Sequence, residues 1–199
     1  FYTRLDNLLH IFRNKKIAFL QHGIIKANLP QLYGDKVRLD LFVCGAKPEY
    51  EYILNNFRHP KGVVQYTGLC RYDRLNTFVT KKQILLMPTW RMYIDKQHFT
   101  DSEYFIRYQS LLQDPLLHRY LEQYGYRLVF YPHYEIQPFI NEFRRLPLPT
   151  SVVVADFSYD VQTLLKESAM LITDYSSVYF DMAYMRKPIL FYQFDQEQF

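Results

Sequence analysis

The chain has 199 residues, of which 49% are hydrophobic and 22% are charged, a composition typical of folded globular proteins. These values exclude a disordered or low-complexity chain, and no apolar run approaches the roughly 18–20 residues that a membrane-spanning helix needs. Lysine and arginine number 24 against 20 aspartates and glutamates, an excess too small to indicate nucleic-acid binding.

The two ends of the sequence and its cysteines indicate whether the chain is a fragment and in which redox compartment it lies. The sequence begins at Phe1 without a methionine or a signal peptide and ends at Phe199 directly after a strand-like run, so we expect a fragment of a longer protein. Cys44 and Cys70 are too few to form a disulfide framework, which favours a reduced, cytosolic setting.

Short apolar runs recur along the chain, and most are followed directly by polar or turn-forming residues. Continuous apolar runs are typical of strands that are buried on both faces, as in parallel sheets covered by helices. Strands are predicted at residues 16–20, 39–43, 84–87, 127–131, 151–155, 170–173 and 188–191.

Segments with helical spacing lie between these runs. A helical pattern over residues 101–124 is interrupted at Pro115, and another over 159–169 has Asp160 in place to cap its start. A third, over 177–186, starts with serines and ends in basic residues before a proline. The alternation of strands and helices predicts an α/β, doubly wound architecture.

A domain boundary is predicted where a basic, tyrosine-rich stretch at residues 71–74 gives way to a polar segment that ends at Lys82. A new strand begins after it. We therefore assign residues 1–78 to part of one α/β domain and residues 79–199 to most of a second.

Ligands bind at the carboxyl ends of the strands in open parallel sheets, so residues that follow strands are the candidates for a site. The most informative segment is residues 173–177, where a strand stops, Ser176 and Ser177 follow, and a helix begins. Unpaired N–H groups at a helix start, together with serine hydroxyls, can bind phosphate. Simple capping of the helix by a serine is the alternative, and the two roles can coexist.

The residues that follow the other strands each have two possible roles, one functional and one structural. His22, followed by Gly23, could accept a hydroxyl proton or could be a structural histidine. His133 could stabilise phosphate charge or could cap a loop. Arg91, close to Thr89, offers bidentate phosphate geometry, whereas the alternative is a surface arginine packed on Trp90.

Several catalytic classes are disfavoured because their motifs are missing. The sequence contains no Cys-x-x-Cys or His-Glu-x-x-His, no Gly-x-Gly-x-x-Gly or Walker loop, and no Gly-x-Ser-x-Gly. These absences argue against a metal centre, a dinucleotide oxidoreductase, a P-loop kinase and an α/β serine hydrolase.

The combined pattern resembles the CDP-glycerol glycerophosphotransferase family, the teichoic acid primases and polymerases of Gram-positive bacteria. The resemblance runs from about residue 16 to residue 199. It rests on His22-Gly23, Met87-Pro88-Thr89-Trp90-Arg91, His133, Thr173-Asp174-Tyr175-Ser176-Ser177, Phe180-Asp181 and Lys187-Pro188, in this order.

The resemblance implies a GT-B type fold, in which two Rossmann-like domains face each other across a cleft, with no metal and no cofactor. Residues 1–78 would belong to the acceptor side and residues 79–199 to the donor side. The implied reaction moves glycerol phosphate, or a similar polyol phosphate, from a CDP-activated donor to a hydroxyl of a lipid-linked acceptor and releases CMP. The implied location is peripheral, at the cytoplasmic face of the cell membrane, with no nucleic-acid partner.

The resemblance also implies roles for individual residues. His22 would be the base that takes the acceptor's proton, with Gly23 keeping its approach open. The pyrophosphate would be held or neutralised by His133 and Arg91. The other substrate-binding residues would be Thr89, Thr173, Ser176 and Ser177 around the phosphate, and Asp174 and Asp181, which would shape the loop or contact the polyol or nucleotide.

The sequence departs from the family pattern around His22. Gln21 precedes it where the family usually has Trp, and Ile24-Ile25-Lys26 follows where the family has Thr-Pro, which leaves the acceptor open. A GT-B nucleotide-sugar glycosyltransferase for capsule or another surface glycan is the alternative function. A non-enzymatic domain that binds polymer or a partner is the third.

Overall fold

The computed structural model describes residues 15–199, so residues 1–14 of the predicted first domain lie outside the described residues. The chain divides into two compact units, Phe1–Arg74 and Leu75–Phe199. Each unit contains its own parallel β-sheet, called here the first-unit sheet and the second-unit sheet.

Among residues 15–74, the first-unit sheet has three strands in the order β1-β2-β3, all parallel. Phe42 in the central strand is fully buried because the rings of Phe19 and Phe57 pack against it, at centroid distances of 5.1 and 6.3 Å. The elements are β1 (Ala18–Phe19), β2 (Leu41–Cys44), α1 (Lys47–Asn56) and β3 (Val64–Tyr66), with short 3-10 helices at Pro30–Leu32 and Cys70–Leu75.

Cys44 ends β2 inside this core. Burial, with a smaller contribution from the charge of Glu49, raises the pKa of the Cys44 thiol to about 12. The thiol therefore stays protonated and is not a nucleophile at neutral pH.

The second-unit sheet has five parallel strands in the order β6-β5-β4-β7-β8. Its strands are β4 (Gln83–Leu86), β5 (Arg127–Phe130), β6 (Val152–Val154), β7 (Met170–Thr173) and β8 (Ile189–Phe191). Its helices are α2 (Glu103–Leu112), α3 (Pro115–Tyr124), α4 (Ile140–Arg144), α5 (Val161–Glu167) and α6 (Tyr179–Tyr184), with 3-10 helices at Lys96–Asp101 and Gln137–Phe139.

The strand order of this sheet reverses between β4 and β7. Strands β5 and β6 follow β4 outward on one side, and the chain then returns to add β7 and β8 on the other side. A reversal of this kind leaves a crevice at the carboxyl ends of the two central strands, where ligands bind in open α/β sheets. The fold therefore singles out the loops after β4 and β7.

The ends of the helices follow local sequence signals in two cases. The predicted helical segment 101–124 is two helices, because Asp114 begins a new helix at Pro115 and accepts a hydrogen bond from Leu117 N at 2.7 Å. Asp160 caps α5 as predicted and accepts from Thr163 N at 2.9 Å.

The helix predicted over residues 177–186 is shorter than expected. It begins at Tyr179, its N-cap is Val178, and no side chain caps it, so the alternative that a serine caps this helix is wrong. The serines instead form the turn before the helix, where Ser176 Oγ accepts a hydrogen bond from Val178 N at 3.4 Å.

Lys187 lies between α6 and β8, and its side chain binds the carboxyl end of α5. Its ammonium donates to the carbonyl oxygens of Leu165, Lys166 and Ser168 at 3.0, 2.6 and 2.7 Å, and so satisfies the end of α5. Burial lowers the pKa of Lys187 to about 8.

Among residues 15–199, no helix has both the length and the apolar character that crossing a membrane requires.

Candidate active site

The candidate site of the second unit lies at the carboxyl edge of its sheet. Asp174, directly after β7, is fully buried and binds the loop after β4 through both carboxylate oxygens. Its Oδ1 accepts from Thr89 N at 2.8 Å, and its Oδ2 accepts from Arg91 Nη1 at 2.8 Å and from the Tyr108 hydroxyl at 3.3 Å. The structure thus brings together three of the residues predicted to form the site, namely Thr89, Arg91 and Asp174.

Arg91 is fully buried, so the alternative of a surface arginine packed on Trp90 is wrong. Its Nε and Nη2 donate to the two carboxylate oxygens of Asp195 at 2.5 and 3.1 Å, and its Nη1 also donates to Thr89 O at 2.7 Å. A contact between Arg91 and pyrophosphate stays a prediction. In the structure, each guanidinium nitrogen donates to an oxygen of the protein, and two carboxylates more than balance its charge.

The ionisation of this buried cluster follows from its contacts. Burial opposes the charged form of Arg91, but the hydrogen bonds that Arg91 donates to Asp195 and Asp174, with the negative charge of Asp174, outweigh it and raise the pKa of the guanidinium. Burial likewise opposes ionisation of Asp195, yet Arg91 and the hydroxyl of Tyr93 hold the pKa of that carboxyl below its usual value. Arg91 and Asp195 are therefore both charged at neutral pH.

Asp195 was not among the predicted site residues. It lies just beyond β8, so the rule that polar residues at strand ends form sites could have found it. Because its partner Arg91 is 104 positions away in the sequence, only the strand order brings the two together.

The phosphate-binding role predicted for Thr173 and the serines is not tested by the structure. The Thr173 hydroxyl donates to Met87 O at 2.7 Å and so links β7 to the end of β4. Ser176 and Ser177 are half-buried, and the contact of Ser176 Oγ with Val178 N uses a lone pair and not the hydroxyl proton. The Ser176 proton is thus not required by that contact and could be donated to an acceptor.

Asp181 lies in the first turn of α6 and is 4% exposed. Its backbone oxygen accepts from Met185 N at 3.1 Å, as expected inside a helix. The predicted contact of its carboxylate with the polyol or nucleotide stays a prediction.

His133 joins the loop after β5 to the loop after β4. Its backbone N donates to Pro88 O at 3.3 Å, and its ring lies nearly parallel to the ring of Trp90 at a centroid distance of 6.3 Å. Its Nδ1 accepts from Glu135 N at 3.3 Å, so the neutral ring has its proton on Nε2. This contact agrees with the capping of a loop, and a contact of His133 with phosphate stays a prediction.

Burial lowers the pKa of His133, and the nearby carboxylates of Glu135 and Asp174 offset this only in part. At neutral pH the ring is consequently an uncharged donor through Nε2–H and not a cation. We expect nuclear magnetic resonance titration to place the pKa of His133 below 6.5, and the pKa of His98, which Asp95 raises, above 6.5. A His133 pKa above that of His98 would contradict this interpretation.

His22 and Gly23 lie in the first unit, in the loop that follows β1. The side chain of His22 is exposed and Gly23 is buried. The backbone oxygen of His22 accepts from Arg71 Nη1 at 2.5 Å, and Gln21, with φ of 63°, donates through Nε2 to Val43 O at 2.8 Å. The loop is held through its backbone and through Gln21, which leaves the imidazole of His22 accessible.

Within residues 15–199, no three His, Cys, Asp or Glu side chains are grouped so that they could hold a metal ion.

Comparison with known proteins identifies the family. The profile of "CDP-Glycerol:Poly(glycerophosphate) glycerophosphotransferase" matches residues 66–199. The chain belongs to this family. The resemblance found in the sequence is confirmed, and the match includes Arg91, His133 and Asp174.

Individual members of the glycerophosphotransferase family are similar over much of the chain. The minor teichoic acid biosynthesis protein GgaB of Bacillus subtilis is 36% identical over 197 residues, which cover 92% of this chain and 22% of GgaB. The teichoic acid poly(glycerol phosphate) polymerase of the same organism is 32% identical over 155 residues, covering 76% of this chain and 19% of the polymerase. The chain thus spans about a fifth of the length of these relatives.

A solved structure supports the fold. The wall teichoic acid polymerase TagF has a TM-score of 0.57 and 23% identity with this chain, and the match covers 80% of this chain and 41% of the TagF chain. The predicted α/β fold of GT-B type, with parallel sheets in two units, is confirmed.

Proposed function

We propose that this chain is part of an enzyme that transfers glycerol phosphate from CDP-glycerol to an acceptor hydroxyl in the synthesis of teichoic acid or a related surface polymer. Membership of the glycerophosphotransferase family supports this proposal. Within the proposal, the first unit serves the acceptor and the second unit, Leu75–Phe199, binds the donor.

The observation that supports donor binding best is the convergence of loops at the reversal between β4 and β7. The loops after β4, β5 and β7 are joined there by direct hydrogen bonds, and we propose that Nε2–H of His133 and the hydroxyl of Ser176 donate to the pyrophosphate. Since Asp174 and Asp195 balance the charge of Arg91, we assign pyrophosphate binding to neutral donors and give Arg91 the task of holding the loops in place.

The proposed chemistry uses these groups and the substrate. The acceptor oxygen attacks the phosphorus that bears the glycerol, the bond from that phosphorus to the bridging oxygen breaks, and CMP leaves with the electron pair. His22 takes the proton of the attacking hydroxyl. Phosphoryl transfer depends mainly on positioning and charge stabilisation, which an ordered set of donors supplies. We further propose a lipid-linked acceptor and peripheral attachment at the cytoplasmic face of the membrane.

Calorimetry on the full-length protein tests the donor assignment. We expect CDP-glycerol to bind in preference to CDP-ribitol and UDP-glucose. His133→Ala and Ser176→Ala should each weaken binding about 10- to 100-fold, since a hydrogen bond to a charged group contributes about 1.5–3 kcal/mol. Ser110→Ala, on the exposed side of α2, is the matched control and should bind normally.

Two other results of the binding experiment would contradict the proposal. A preference for UDP-glucose would replace the proposal by a nucleotide-sugar glycosyltransferase. Failure to bind any of the three would favour a domain that binds polymer or a partner without catalysis.

A further inference from the structure

We infer that Glu49 is the positioning residue for the loop that presents His22. Glu49 lies in the first turn of α1 and is 4% exposed, a degree of burial that is uncommon for a carboxylate unless its oxygens are paired. The inference rests on the proposed function, in which His22 is the base.

Glu49 binds the His22 loop on both sides of the histidine. Its Oε1 accepts from Gln21 Nε2 at 2.9 Å and from Ile25 N at 2.6 Å. Gln21 directly precedes His22, and Ile25 follows it by three positions. A single oxygen atom of Glu49 therefore holds the residues on the two sides of His22 at a fixed distance from each other.

The second oxygen anchors Glu49 to the body of the first unit. Oε2 accepts from Gly45 N at 2.6 Å and from Ala46 N at 3.4 Å, in the turn between β2 and α1. The carboxylate also lies at the start of α1, where the helix dipole favours a negative charge. The His22 loop is consequently tied to a rigid strand–helix junction.

The contacts require a carboxylate and not merely a polar side chain. All four partners are N–H groups, so a glutamine in this place would have to turn its own NH₂ group towards donors on one side. Either the loop side or the anchor side would then lose its acceptor. Glutamine therefore has nearly the shape of Glu49 but cannot fill its role.

The backbone around His22 explains why such an anchor is needed. Gln21 has φ of 63°, in the left-handed region that non-glycine residues adopt only when their surroundings hold them there. Gln21 is held by Glu49 on one side and by Val43 O at 2.8 Å on the other. Because proton transfer depends on placement to a fraction of an ångström, loosening this loop should lower turnover and leave donor binding intact.

The test compares Glu49→Gln with Glu51→Gln in the full-length protein. Glu51 is on the same helix and is exposed, with an ion pair to Lys47 at 3.8 Å, so its variant is the matched control. We expect Glu49→Gln to lower kcat about 10- to 100-fold, with the KM for CDP-glycerol within about twofold of the parent value. Glu51→Gln should leave both constants unchanged.

A double variant separates positioning from a general structural effect. If Glu49 acts through His22, the double variant with His22→Ala will lose no more activity than His22→Ala alone. Additive losses would overturn the inference, as would a kcat for folded Glu49→Gln equal to that of the control.

Gln21→Met keeps the test decisive if Glu49→Gln does not fold. It removes one donor of the loop and leaves the anchor of Glu49 in place, so we expect a smaller fall in kcat, about threefold to tenfold. No fall in kcat would overturn the inference. Full turnover by His22→Ala would instead contradict the role of base that the proposed function gives to His22, and that variant leaves Glu49 unchanged.

Discussion

Replacement of Arg91 by methionine is expected to lower the free energy of unfolding by about 3–5 kcal/mol, the usual effect of removing one partner from a buried ion pair. Methionine fills much of the same volume but leaves two carboxylates, Asp174 and Asp195, buried without their cation. The loops after β4, β7 and β8 would then lose the group that joins them.

The pH dependence of this variant follows from the same contacts. The pKa of Asp195 is lowered in the folded protein, so its contribution to stability is present above its unfolded pKa and is lost as the pH falls through its folded pKa. In Arg91→Met this contribution disappears, and protonation relieves the unpaired charge. We therefore expect the difference in stability between parent and variant to be largest near neutral pH and to shrink under acid conditions.

Chemical denaturation of the parent and its variants measures this effect. Arg107→Met is the matched control, since Arg107 forms an exposed pair with Glu103 at 3.0 Å and should change stability by less than about 1 kcal/mol. Arg91→Lys should be intermediate, because a single ammonium cannot bind Asp195 in bidentate fashion. Adding Asp174→Asn and Asp195→Asn to Arg91→Met should recover part of the loss. Equal stabilities for Arg91→Met and Arg107→Met would show that the buried cluster does not hold the loops.

The strands of both sheets were predictable from the sequence where they have a uniform apolar pattern. The run at β7 (Met170–Thr173) was predicted with its observed ends, because buried neighbours on both sides select apolar residues along the strand. Strand β3 was missed, because only Val64 of its three residues is buried. The exposed residues of such a strand need not be apolar, so the sequence shows no apolar run there. Helix α1 was also missed, although Pro48 at its start is a common helix signal.

The candidate site was predictable in its location but not in its internal contacts. The rule that site residues follow strands predicted that Thr89, Arg91 and Asp174 lie at one edge of the sheet, because it depends only on strand direction. The burial of Arg91 depends on Asp195, and that contact exists only once β8 lies beside β7. Glu49 was missed for a similar reason, since its partners Gln21 and Ile25 belong to a different strand–loop segment of the chain.

Replacement of His22 by alanine is expected to reduce kcat of the full-length protein about 10²- to 10⁴-fold, the range typical for loss of a general base. The loop should survive the change, because Arg71 binds the backbone oxygen of His22 and the contacts of Gln21 and Ile25 with Glu49 do not involve the imidazole. The side chain of His22 is exposed, so its removal also leaves no buried cavity.

Turnover and donor binding must be measured together to assign the loss to chemistry. We expect the dissociation constant for CDP-glycerol to stay within about twofold of the parent value, since the proposed donor contacts of His133 and Ser176 belong to the second unit. His98→Ala, which removes an exposed histidine that pairs with Asp95, is the control and should leave kcat unchanged. If His22→Ala weakened donor binding and left kcat intact, the imidazole would be a binding group and the base would have to be sought elsewhere. A large fall in kcat with unchanged binding would instead separate the two tasks as proposed, because loss of a group that acts in the transition state slows transfer without loosening the donor.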